Sequence, residues 1–206
     1  MARRSASVLD PMHHPELAWR AREITRHAEA MGLLDEPGSL DQPRFSDALR
    51  NLAAHGIAAD AVALIQERTG RGSRQRLAGV LDRVREALED SSVPDLELRH
   101  LQRLFGWEEL AALLGTSVGS LRRYASNQRA TPDRIAARAH WLAGTVADLR
   151  DAYNDAGVRR WFVRPRTALR GRRPVEVLTG DWDPDQAEVR EVRDLAAWLA
   201  QPGAAT

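Results

Sequence analysis

Arg122 and Arg123 are the first residues of this chain to which a chemistry can be assigned. They close the stretch ELAALLGTSVGSLRRY, Glu109 to Tyr124, on what reads as the second of two short helices. A guanidinium is permanently charged and carries a planar fork of donors, which matches phosphate oxygens and the major-groove edge of guanine. Arg129, a little further on, has the same capacity. Ser117 and Ser120 add hydroxyls, and Gly119 leaves room for close approach. Asn127 and Gln128 lie just past the helix and offer only neutral amides, for backbone contacts or for none.

Side-chain size indicates the elements that must position these groups. Leu110, Leu114, Val118, Leu121 and Tyr124 supply apolar positions, and Ala111 and Gly115, four apart, let two helix axes approach closely. The first helix runs roughly over 108–114. Gly115 turns the chain, because a residue without Cβ takes a positive φ at little cost. Ser117 caps the second helix. Leu121 and Tyr124 then face inward, and Gly119, Ser120, Arg122 and Arg123 face outward. This is the pattern of a helix-turn-helix, whose second helix enters a major groove. The expected DNA-contacting set is Ser117, Gly119, Ser120, Arg122, Arg123 and Arg129, with operator DNA as partner. Val118 and Gly119 give base edges nothing beyond a methyl contact to thymine. An ordinary helical hairpin has the same apolar spacing, so that reading stays open.

The remaining residue types point away from catalysis. Histidines at 13, 14, 27, 55, 100 and 140 form no metal-binding spacing. Gly70-Arg71-Gly72-Ser73 lacks the length and the lysine of a phosphate loop. Asp181, Asp183 and Asp185 alternate as in a calcium loop, but the loop is too short and lacks the closing glutamate. No serine sits in a nucleophile elbow. The chain is therefore expected to be no enzyme and to use no cofactor or metal.

The 206 residues suffice for one large or two small domains with a real core. Absence of cysteine excludes disulfides and fits a reducing compartment. The start, MARRSASVLDPMHH, has no apolar run of the signal-peptide kind, and no stretch reads as a membrane span; the expectation is a cytoplasmic protein. All 30 basic residues are arginine, which a GC-rich coding bias and phosphate pairing explain equally well. Charge is uneven: seven arginines and no acid over 159–173, then seven acids and two arginines over 176–194.

Helical periodicity recurs along the chain. A flexible start is expected over 1–14, then helices over 15–31, 44–55, 59–68 and 74–88, forming an N-terminal region of unknown role over 15–92. The stripe Leu77, Val80, Leu81, Val84 and Leu88 either closes that bundle or packs on a second copy. DSSVPD, 90–95, reads as the domain boundary. A DNA-binding domain follows over 96–157, with a helix start at Thr131-Pro132-Asp133, a possible break at Gly144, and Thr145 with Asp148 in the form of a capping box. No convincing strand is found, so the fold class is all-α: a helical bundle with a helix-turn-helix and a small helical C-terminal domain over 158–206.

In that last domain Trp161, Phe162, Pro165, Leu169, Gly171, Pro174 and Leu178 fall at fixed spacing: a short helix ends near Pro165, Gly171 turns, and Pro174 opens the next helix. The pattern W-F-x-x-P-x-x-x-L-x-G-x-x-P-x-x-x-L resembles the toxin-binding domain of the Xre/MbcA/ParS antitoxins, with Arg166 where that family often has asparagine. The resemblance covers roughly residues 96–206. It implies an all-helical, often dimeric type II antitoxin that blocks a cognate NAD-consuming toxin of the RES-domain type and represses its own operon through the helix-turn-helix. The alternative is a stand-alone helix-turn-helix regulator without a toxin.

A pocket that binds pyrophosphate favours positive charge, so an inhibitor can fill it with carboxylates. On that argument Asp181, Asp183 and Asp185 are expected toxin-binding residues, and Trp198, on a helix that would cover the pocket mouth, is the expected aromatic anchor, unless Trp198 packs on Trp161 inside its own domain and the acids are solvated. A chain stopped after Gly180 is expected to retain the helix-turn-helix and some DNA binding, yet to fail to protect cells or NAD from the toxin. Two-fold operators require paired reading helices, so a homodimer is expected.

Overall fold

A computed structural model of the chain describes residues 11, 14–34, 38–67 and 74–200. Most of the 1–14 start, the turn at Gly70–Ser73, the end of the third helix at Arg68 and residues 201–206 lie outside the described residues. Among those described, the structure is all-α, without a strand.

The order is α1 (Pro15–Ala30), α2 (Gln42–Ala54), α3 (Ala59–Glu67), α4 (Arg74–Glu89), α5 (Pro94–Phe105), α6 (Trp107–Leu114), α7 (Val118–Ala125), α8 (Asp133–Leu149), α9 (Asp155–Val163), a 3-10 turn at Thr167–Leu169, α10 (Pro174–Val177) and α11 (Ala187–Leu199). Two compact units divide at Ser91 and Ser92, with 30–32 counted in the second, inside the stretch read as a boundary.

In the first unit, Asp41 caps α2 by accepting from the Arg44 amide at 3.0 Å, and α2 turns Phe45, Ala48, Leu49 and Leu52 inward. Arg20 pairs with Asp82 at 2.7 Å and Arg44 with Glu29 at 3.2 Å. Val80, Leu81, Val84 and Leu88 of α4 are buried within the single chain, and α4 packs along α3. Four of the five stripe residues are therefore covered inside the unit, with Leu77 half-buried, which favours the stripe as part of this bundle.

The second unit has one continuous core from Leu98 to Ala196. α5 contributes Leu98, Leu101, Leu104 and Phe105; α8 contributes Ile135, Ala139, Leu142, Val146 and Leu149; α9 contributes Val158, Trp161 and Phe162; α11 contributes Val189, Val192 and Ala196. Phe162 meets Phe105 edge-on at 5.3 Å and Trp161 at 5.2 Å between ring centroids, so α9 is stitched to α5. The spaced motif residues Trp161, Phe162, Leu169, Pro174 and Leu178 are buried, while Pro165 is exposed and Gly171 takes φ 80°.

α8 departs from its sequence reading in two places. It starts at Asp133 with Pro132 in the cap position and no side-chain cap, so Thr131 does not cap it. It also runs through Gly144 without a break. Thr145 donates to the Trp141 carbonyl at 3.0 Å, and Asp148 accepts from Arg193 at 2.9 Å. Those side chains are spent inside a long helix that α11 covers, so the capping-box spacing there marks no helix start.

Candidate nucleic-acid interface

α6 and α7 are short helices joined by Gly115-Thr116-Ser117. Gly115 has φ 67°, the left-handed region that costs a residue with Cβ about 1–2 kcal/mol. A Cβ there would also come within 2.6 Å of the Arg138 guanidinium and 3.2 Å of the Gly180 carbonyl. The Ser117 hydroxyl caps α7, accepting from the Ser120 amide at 3.1 Å. Leu121, Tyr124 and Ala125 are buried, which fixes the opposite face. On that outer face Gly119, Arg122 and Arg123 are exposed and Ser120 is half-buried; Ser117 and Arg129 are exposed too. A Cβ on Gly119 would meet nothing within 4 Å, so internal packing does not demand glycine there.

Charge reinforces the asymmetry. From Leu110 to Pro132 the chain has three arginines and no acid. Among the described residues, no carboxylate pairs with Arg122, Arg123 or Arg129. Two of the three rest on rings: Arg122 lies 5.5 Å from the Trp107 centroid and Arg129 5.7 Å from that of Tyr124. Such stacking holds a guanidinium in place without neutralising it. The C-terminal end of α7 is tied back to α5, because Arg99 donates to the Ala125 carbonyl at 2.8 Å and Asn127 to Asp95 at 3.1 Å. Asn127 is thus committed to the fold.

Behind the turn lies a buried guanidinium that the sequence reading missed. Arg138 is 0% exposed. Its Nη1 donates to the Leu114 carbonyl at 2.9 Å, its Nε to the Trp182 carbonyl at 2.7 Å and its Nη2 to Asp181 at 3.1 Å. The guanidinium lies 5.0 Å from the Trp182 ring centroid. Burial presses the Arg138 pKa down, the nearby Arg134 adds to this, and Asp181 opposes it. Trp182 is buried, meets Trp141 edge-on at 5.3 Å and donates from Nε1 to the Leu113 carbonyl at 2.7 Å. The loop after Gly180 is therefore seated on the C-terminal end of α6. One signal was available: Arg138 sits three residues after Ile135 and four before Leu142, on the apolar stripe of α8.

The other expected contact residues separate into two places. Asp181 is exposed and pairs with Arg134 as well as Arg138. Asp183 accepts from the Asp185 amide at 2.9 Å, and Asp185 pairs with Arg190 at 3.2 Å. Trp198 lies at the other end of α11, about 18 Å along a helix of that length, and is 52% exposed. It does not pack on Trp161, which is buried beneath the Arg166 guanidinium at 5.0 Å. The charge runs compensate each other in part: Arg170 pairs with Glu191, Arg172 with Glu188 and Arg173 with Glu176.

These contacts bear on a chain stopped after Gly180. It would lose Trp182 and all of α11, strip Val189, Val192 and Ala196 from the shared core, and leave Arg138 buried without two of its acceptors. The expectation that such a chain retains the helix-turn-helix and some DNA binding has to be weighed against the loss of that packing.

Glu97, His100 and Asp148 are also buried in this unit, and Glu109 is half-buried. Glu97 accepts from Ser92 at 3.1 Å and meets His140 Nδ1 at 2.7 Å. His100 Nε2 lies 2.9 Å from Arg150 Nη1. A guanidinium only donates, so the imidazole accepts and is neutral; burial, with Arg150 and Arg103 adding to it and Asp155 opposing, brings its pKa down to about 4. Burial also raises the carboxyls of Asp148 and Glu109, against the pull of Arg193 and Arg159 respectively. Among the described residues no His, Asp and Glu group is placed to hold a metal ion, and no helix is long and apolar enough to cross a membrane. No protein-family model matches the chain, and neither does any curated protein or solved structure.

Proposed function

We propose that this chain is a type II antitoxin that represses its own operon through α6 and α7, acting as a helix-turn-helix, and inhibits a cognate RES-domain toxin through its C-terminal region. One observation carries the DNA-binding part: α7 presents Arg122 and Arg123 outward, free of any described carboxylate, on a face whose other side is anchored by Leu121 and Tyr124. A surface arginine without an internal acid is available to a phosphate, and each phosphate neutralised releases counterions. The bare surface at Gly119 lets a groove wall come close.

The toxin part rests on the resemblance of 161–178 and on the exposure of Trp198, since aromatic anchors carry much of the affinity in protein interfaces. A homodimer would present two reading helices to a two-fold operator, through a face other than the covered stripe of α4.

Two measurements test the proposal. In a gel-shift titration on the DNA upstream of its gene, Arg122→Ala with Arg123→Ala weakens binding and flattens its salt dependence; unchanged affinity sinks the DNA assignment. Co-purification with a RES-type protein encoded beside it supports the antitoxin reading, and its failure with DNA binding intact leaves a stand-alone regulator.

A further inference from the structure

One carboxylate oxygen of Asp181 serves two guanidiniums of unequal freedom. Arg138 is fully buried and fixed by two carbonyls besides the acid. Arg134 has a side chain 54% exposed, and its partner Asp181 is 82% exposed. Arg134 stands in the first turn of α8, one helical turn before Arg138 and so on the same face. Arg138 reaches the Leu114 carbonyl at the end of α6, and Gly180, next to Asp181, lies near enough that a Cβ on Gly115 would come within 3.2 Å of its carbonyl. Arg134 therefore belongs to the edge of the α6–α7 pair near the start of α7, whereas Arg122, Arg123 and Arg129 lie towards its end and beyond. Asp181 is brought to this edge by the tertiary structure, beside a stretch with no acid of its own.

We propose that Arg134 is a further DNA-phosphate contact held in reserve by Asp181, so that any partner that engages Asp181 raises the affinity for DNA. The inference rests on the DNA-binding reading of α6 and α7. An exposed ion pair is worth roughly 0.2–1 kcal/mol, comparable with a single surface phosphate contact, so Arg134 stays with Asp181 until that carboxylate is engaged elsewhere, while Arg138 keeps its carbonyls throughout. Phosphate contacts carry no sequence information, so the gain is the same on any duplex.

The experiment uses the full-length chain and a short fluorescein-labelled duplex of mixed sequence, with affinity measured by anisotropy across a salt series. Asp181→Asn keeps an oxygen that accepts from Arg138 and is expected to leave the unfolding temperature unchanged. It should tighten binding about two- to fivefold, the range of a surface pair, and steepen the salt slope by about 0.9, one phosphate. Arg134→Ala in the native background changes little; in the Asp181→Asn background it abolishes both gains, and Arg134→Lys there retains them. No gain from Asp181→Asn overturns the inference. So does a gain that survives Arg134→Ala, which would reflect only the lost negative charge. Loss of binding on Arg122→Ala with Arg123→Ala, without any effect at 181, overturns this inference and leaves the proposed function standing. Failure of every variant to bind either this duplex or the DNA upstream of the gene removes both.

Discussion

The indole Nε1–H of Trp182 donates to the carbonyl of Leu113 at 2.7 Å, joining residues 69 positions apart. The acceptor is one of the last carbonyls of α6, a group left without an intrahelical partner. The C-terminal loop thus completes the end of the helix that leads into α7, and the arginine-bearing face depends on a tryptophan far from it in sequence.

Trp182→Ala is expected to cost about 3–5 kcal/mol, as large core aromatics do. Trp182→Phe keeps a ring against Trp141 but strands the Leu113 carbonyl, for about 1–3 kcal/mol. Urea unfolding of the full chain measures both. Equal midpoints for wild type and Trp182→Ala would contradict the packing described.

Arg138→Met retains much of the buried stem yet removes the donors to Leu114 and Trp182. The loss is expected at about 1–3 kcal/mol for each carbonyl stranded. DNA affinity should fall in step with stability, although Arg138 is buried and touches no ligand. Calorimetry beside the anisotropy titration checks the parallel.

His100 makes stability depend on pH. Its pKa is about 4 in the fold against an ordinary 6.5, so the unfolded chain takes up a proton that the folded chain refuses. Its contribution is whole above about pH 6.5, declines as pH falls towards 4, and levels off once the folded imidazole also protonates. The full swing is about 3 kcal/mol. Asp148 and Glu109, with raised carboxyls, act in the opposite sense and soften the loss at the acid end. His100→Gln, whose amide oxygen still accepts from Arg150, should flatten the urea midpoint between pH 6.5 and 4.

Gly115 and Gly119 separate folding from recognition. Gly115→Ala meets a positive φ and the Arg138 guanidinium, and is expected to destabilise by at least about 1–2 kcal/mol. Gly119→Glu enters open space in the first turn of α7, where an acid suits the helix dipole and glycine is a poor helix former. It should leave stability unchanged or higher and weaken DNA binding by about tenfold or more, since like charges juxtaposed at an interface cost several kcal/mol. Tight binding by a stable Gly119→Glu protein would remove α7 from the interface.

Trp198→Ala removes an exposed ring, so the expected loss of stability is below about 1 kcal/mol. On the proposed antitoxin function, neutralisation of the toxin should fall sharply, by the cost of about 2 kcal/mol or more typical of an interface anchor. Protection of NAD by the variant and wild type at equal expression decides the point. Equal protection would place the toxin contact elsewhere.

What the sequence determined by itself was local. Apolar spacing and Gly115-Thr116-Ser117 located α6, its left-handed turn and the capped start of α7, because periodicity, positive φ and capping depend on neighbours a few residues apart. The same reasoning located α4 and α11 and the buried positions Trp161, Leu169 and Leu178. Only the tertiary structure decided which charges remain free. Asp181 and Asp185 looked like one acidic surface, yet each is paired with an arginine, Asp181 with one 43 positions away. Arg138 drew no expectation from the sequence and is buried, because Leu114, Asp181 and Trp182 together replace its water. Trp182 carried no expectation and is buried against Trp141 and the end of α6, and Trp198, an alternative partner for Trp161, is 52% exposed. Long-range pairing of this kind leaves no mark at helical spacing.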